Sequence, residues 1–113
     1  MYSYTKALRL TKADEFSSVF IFRKIKSGAY LKVHFKPNAL ECSRLGLIVS
    51  KKISKRANKR NYMKRVLREL FRHTQTTWLG HDIIVRVHKY FTPTEYALIK
   101  LEFEQLTQKL LKD

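Results

Sequence analysis

Residues 51–72 read KKISKRANKRNYMKRVLRELFR. The stretch holds ten of the chain's 24 Lys and Arg residues and a single acid, Glu69, so it carries +9 of the formal +15. An apolar rhythm runs through it. Val66, Leu67, Leu70 and Phe71 lie three, four, seven and eight residues beyond Met63, which puts all five on one stripe of an α-helix. The basic residues fall mostly off that stripe. Arg60, Lys64, Arg68 and Arg72 follow at four-residue steps, with Lys59 and Arg65 beside them. The stripe must be buried, and the cations must stay in contact with water or anions. The helix therefore docks on a core with one side and presents a row of positive charge with the other.

A charge run is often only a solvated face. Here, like charges four apart on a helix repel by a few tenths of a kcal/mol per pair, with one carboxylate to offset them. A polyanion relieves that repulsion and releases counterions. Nucleic acid is the obvious candidate. An anionic membrane fits less well, because the stripe is aliphatic and carries no Trp.

Just before this segment, Arg44 to Ser50 is nearly continuous in apolar residues (Leu45, Leu47, Ile48, Val49) and is expected to be a central strand covered on both faces. Gly46 within it signals a bulge or a close backbone approach. Asn58 is placed as the N-cap of a helix from about Lys59 to His73. Thr74 to Gly80 is a connection, in which Trp78 reads either as a core plug or as a base-stacking platform. Asp82 to His88 is β-branched and buried, a further strand. Strand, basic helix and strand form a βαβ unit, right-handed by the general rule.

Arg44-Leu45-Gly46-Leu47-Ile48-Val49-Ser50-Lys51-Lys52, then Arg60-Asn61, Lys64-Arg65 and Arg68-Glu69, resembles the protein subunit of bacterial ribonuclease P, over nearly the whole chain. That family has a strand ending in Ser-Lys-Lys or similar, then a helix with an Arg-Asn-Arg signature followed by Lys-Arg and Arg-Glu. The third signature position, usually Arg, is Tyr62 here. Tyr can stack or hydrogen-bond but cannot make a bidentate phosphate contact. The resemblance implies a left-handed crossover, against the general rule. It also implies an endoribonuclease holoenzyme that matures tRNA 5′ ends. In that family the RNA subunit is the catalyst, and the resemblance implies that Mg²⁺ acts through that RNA. On this resemblance the protein is expected to contact the catalytic RNA through Lys51, Lys52, Lys55, Arg56, Arg60, Asn61, Lys64, Arg65 and Arg68, with pairing to a protein acid as the alternative for Arg68.

Toward the N-terminus, residues 1–10 are mixed and basic, expected as a tail that orders on contact. Thr11 can N-cap a helix, with Asp14 completing a capping-box-like pair, and the helix runs to about Lys24. Phe16 and Phe20 lie one turn apart on it. Both rings read as core. In the resembled family, Phe-x-x-Val-Phe lines a cleft for the single-stranded 5′ leader of precursor tRNA, where rings stack on any base. Ser27-Gly28 breaks the helix. Residues 29–36 alternate, with Ala29, Leu31, Val33 and Phe35 on one face and Tyr30, Lys32, His34 and Lys36 on the other, a half-buried strand. The second face reads as a plain exposed surface or, as the resemblance implies, as the floor of the leader groove. His34 has no second ligand suitably spaced for a metal. A short extra strand near this first hairpin is a further possibility. Thr92-Pro93-Thr94-Glu95 opens the last helix, which runs to about Lys112. Tyr96, Ile99, Phe103, Leu106 and Leu110 form a seam read as sheet packing, with a coiled coil as the alternative.

The expected fold is α+β, a small single-domain α/β sandwich over 1–113 of order α-β-β-(β)-α-β-α. At 113 residues and 44% hydrophobic, one modest core is supported. The lone Cys42 makes no intrachain disulfide and suits a reducing, cytoplasmic setting. No apolar run approaches a membrane span. The acids do not cluster where they would hold two metal ions for phosphodiester cleavage, so the polypeptide alone is not expected to cut RNA. Two other classes stay open: a structural RNA-binding protein such as a ribosomal component, and a stand-alone nuclease.

Overall fold

The computed structural model describes residues 9–74 and 80–111, the last three as backbone only. Its order is α1 (Ala13–Phe22), β1 (Lys24–Ser27), β2 (Leu31–Pro37), β3 (Arg44–Ile48), α2 (Ala57–Thr74), β4 (His81–Val87) and α3 (Tyr96–Leu111). The four strands form one sheet in the order β1-β2-β4-β3, with β3 and β4 parallel and the other pairs antiparallel. Helices cover both faces. The stripe Met63, Val66, Leu67, Leu70 and Phe71 is buried with Ile99, Phe103 and Leu106 of α3 against Leu31, Val33, Leu45, Ile83 and Val85. On the opposite face a smaller cluster of Leu10, Val19 and Ile84 is flanked by Phe16, Phe20 and Ile48 of α1 and β3.

Several expectations are corrected. β3 is an edge strand, not a central one. Its apolar residues are covered from above and below by helices, and cover on both faces does not require a strand on both sides. Beyond β3, among the described residues, there is a bridge from Arg9 to Leu45, and the Leu10 amide donates to the Leu45 carbonyl at 2.9 Å. Leu10 is thus part of the core rather than of a loose tail. The first helix stops at Phe22 because Arg23 adopts a left-handed conformation (φ 61°). The chain then turns straight into β1, the extra strand of the hairpin. Glu15, not Asp14, closes the start of α1, accepting from the Thr11 and Lys12 amides at 3.0 Å each. α2 begins at Ala57, so Asn58 lies inside its first turn. Thr92 caps a 3₁₀ turn, Pro93–Glu95, that leads into α3. In the α3 seam Tyr96 is 39% exposed rather than packed on the sheet core. Trp78 and the Leu110 side chain lie outside the described residues.

Candidate nucleic-acid interface

Burial of the α2 stripe fixes where its cations point. Glu69, the one carboxylate on the helix, is taken by Arg72 and by His73 Nε2 at 3.2 Å. Arg72 holds the Glu69 carboxyl below its ordinary value, chiefly by its hydrogen bond. Among the described residues no carboxylate pairs with Lys64, Arg65 or Arg68. Lys64 and Arg68 line a hollow of about 430 Å³ with Arg9 and Leu47, between α2 and the β3 edge. The sequence reading missed Arg9, since nothing local ties residue 9 to the helix. Arg60 has a partner of its own: its Nη1 donates to the Ser54 carbonyl at 2.9 Å. It braces the turn that carries Lys51, Lys52, Lys55 and Arg56, all exposed, against the start of α2. Asn61 is exposed beside this row.

The α1 face of the sheet is set by register. Lys36, Asp82 and Arg44 form one row across β2, β4 and β3; His34, Ile84 and Gly46 form the next; Lys32, Arg86 and Ile48 form the third. α1 closes the first two. Phe16 lies over Gly46, where an added Cβ would come within 2.7 Å of the ring. Phe20 meets His34 edge to face at 4.8 Å. Ser18 accepts from the Lys36 ammonium. Arg44 joins Glu15 at 3.0 Å to Asp82 at 2.7 Å.

The six residues of the expected groove are therefore not equivalent. Phe16 and Phe20 are half-buried, and Lys32 and Lys36 flank them. His34 is 7% exposed, and among the described residues its Nε2 has no hydrogen-bond partner. Burial first, then Arg86 and Lys32, push its pKa down. It is a buried wall rather than a cationic floor. Tyr30 does not join the groove. It precedes β2, and its ring packs on Phe91 on the α2–α3 side, with the Lys89 ammonium 4.9 Å above it. Alternation failed there because residues 29 and 30 form a turn, not a strand. Arg86 stands in the third row, exposed beside Lys32. Its sequence signal was a single cation in the apolar run of β4. Among the described residues no group of three or more His, Cys, Asp or Glu could hold a metal ion, and no helix is long and apolar enough to cross a membrane.

A four-stranded sheet with helices on both faces, one of them bearing an unneutralised cationic row, defines a basic α+β domain built to meet a polyanion. A family model of Ribonuclease P matches residues 4–111. The Ribonuclease P protein component of an Azoarcus species is 48% identical over 104 residues, 92% of this chain and 87% of that protein. The one from Chromobacterium violaceum is 43% identical over 111 residues, 98% and 92%. Among solved structures, the RNase P protein of Staphylococcus aureus superposes with a TM-score of 0.82 at 28% identity, covering 93% of this chain and 96% of the other. That of Thermotoga maritima gives 0.69 at 28%, covering 92% and 94%. The chain belongs to the ribonuclease P protein family.

Proposed function

We propose that the chain is the protein subunit of the ribonuclease P ribonucleoprotein. It docks on the catalytic RNA and holds the 5′ leader of precursor tRNA, promoting endonucleolytic release of the mature 5′ end. The observation that carries this is the row Lys64, Arg65 and Arg68, held outward by burial of the opposite stripe, with no carboxylate partner among the described residues. Phosphates supply that partner, and counterion release drives the association. Lys51, Lys52, Lys55, Arg56, Arg60 and Asn61 extend the same surface. The leader lies along α1 and β2, against Phe16 and Phe20, with its phosphates near Lys32, Lys36 and Arg86. Half-buried rings with open edges suit bases of any sequence. Catalysis belongs to the RNA subunit. Mg²⁺ enters through that RNA, whose phosphates provide the hard oxygen ligands the ion prefers. The setting is the cytoplasm, where tRNA precursors are made.

The test is cleavage of a precursor tRNA at low Mg²⁺ by the protein, by a bacterial ribonuclease P RNA, and by the two mixed. Activity only in the mixture, at the mature 5′ end, is the expected result. Cleavage by purified protein alone would place an active site on the polypeptide. No stimulation of a matched RNA would leave a structural RNA-binding domain.

A further inference from the structure

A second feature lies where the start of α2 meets the segment between β4 and α3. Lys59, Tyr62, Arg65, Tyr90, Phe91 and Pro93 line a hollow of about 290 Å³. This is near the lower end of the range for ligand pockets, about 300 Å³. Its walls are aromatic. Tyr62 is half-buried and meets Phe91 at 6.3 Å between centroids and 65° between planes. Tyr90 is 38% exposed. Its rim is cationic, with the Arg65 guanidinium carbon 5.9 Å from the Tyr62 ring centroid and Lys59 on the same helix. No acid lines it. The Glu95 carboxylate is bonded at its edge to Thr92, which lines the hollow, accepting from its amide at 2.8 Å and its hydroxyl at 3.0 Å.

We infer that this hollow receives one unpaired nucleotide of the RNA on which α2 docks, its base stacked on Tyr90 and Tyr62 and its phosphate held by Lys59 and Arg65. This rests on the RNA-docking reading above and adds the kind of RNA element recognised. Aromatic faces reward a flat π-system, which a phosphate chain alone does not offer. The flanking cations reward the charge that travels with it. A duplex keeps its bases stacked inside and has none to insert, so the strand must be unpaired at this point. Tyr62 occupies the position where the resembled family usually has Arg. At that position this chain replaces a charge-directed contact with a stacking one.

The experiment uses the full chain. In an NMR titration with adenosine 5′-monophosphate, the Tyr62 and Tyr90 ring resonances are expected to move far more than with ribose 5-phosphate. Equal shifts would mean a plain anion site and overturn the proposal. Affinity for a bacterial ribonuclease P RNA is then compared among wild type, Tyr90→Ala and Tyr90→Phe, with thermal melting as the folding control. Tyr90→Ala should bind about tenfold more weakly, with the slope of log affinity against log salt unchanged. Tyr90→Phe should bind like wild type. Full affinity in Tyr90→Ala, with weakened binding in Lys64→Ala and Arg68→Ala, would remove the nucleotide site and leave the docking surface standing. Full affinity in all of them would remove both.

Discussion

The carboxylate of Glu102 on α3 holds the start of β2, with Oε2 2.7 Å from the Leu31 amide. The same carboxylate accepts from Ala29 at 2.8 Å and from Tyr30 at 3.0 Å, so one side chain binds three successive amides across more than seventy residues. Gly28 makes room for it, since a Cβ there would lie 2.5 Å from the Glu102 carboxyl carbon. Removing the carboxylate leaves amides without partners at roughly 1–3 kcal/mol in all, given their partial exposure. Glu102→Ala is expected to lower the urea midpoint by that free energy. Gly28→Ala should act in the same direction, and the two together should cost less than their sum, because the collision disappears with the carboxylate.

Gly46 sets the height of α1 above the sheet. With Phe16 lying where a Cβ would project, Gly46→Ala forces the ring aside, an overpacking cost of about 1–3 kcal/mol. Adding Phe16→Leu should restore part of that loss. Denaturant titration of the single and double variants checks it. If the leader groove depends on the Phe16 ring, Gly46→Ala should also weaken binding of a leader-bearing precursor more than of mature tRNA.

Lys64 and Arg68 are half-buried beside Arg9, and neither of the two has an acid partner among the described residues. Changing either to Ala should reduce affinity for a ribonuclease P RNA and flatten the salt dependence by about one unit for each phosphate left unneutralised. Melting temperatures should barely move. Arg60→Ala should differ. It gives the same flattening only if Arg60 reaches phosphate, and it frees the Ser54 carbonyl in any case. Faster amide exchange in residues 51–56 is the distinguishing measurement.

His34 adds a pH dependence. Burial and the nearby Arg86 and Lys32 lower its pKa from 6.5. The fold therefore favours the neutral ring, while the unfolded chain takes up a proton near the ordinary value. The stability this contributes is complete above about 6.5 and declines as pH falls through the lower folded value. Urea midpoints measured between about pH 7.5 and 5.5 should fall in wild type more steeply than in His34→Phe. Parallel curves would show that His34 does not titrate in that window.

Periodicity along the chain determined the elements and the docked stripe of α2, because spacings of three and four are read locally and burial of an apolar stripe is obligatory. It also determined the outward cationic row, since charge must go where apolar residues do not. Gly46 was legible as a close approach, though not that Phe16 would supply it. Tertiary structure alone decided the rest. β3 became an edge strand because helices, rather than strands, cover its apolar residues. Arg23 ended α1 early by adopting a backbone state that no pattern announces. Tyr30 left the groove because a carboxylate far along the chain, Glu102, binds the amides of the turn before β2; Arg86 entered it through the register of β4 on β2, which sets it opposite Lys32. Arg9 reached α2, and Tyr62 reached Phe91, only through contacts between residues distant in sequence. Spacing encodes which face a side chain takes on its own element, but not what the next element brings opposite it.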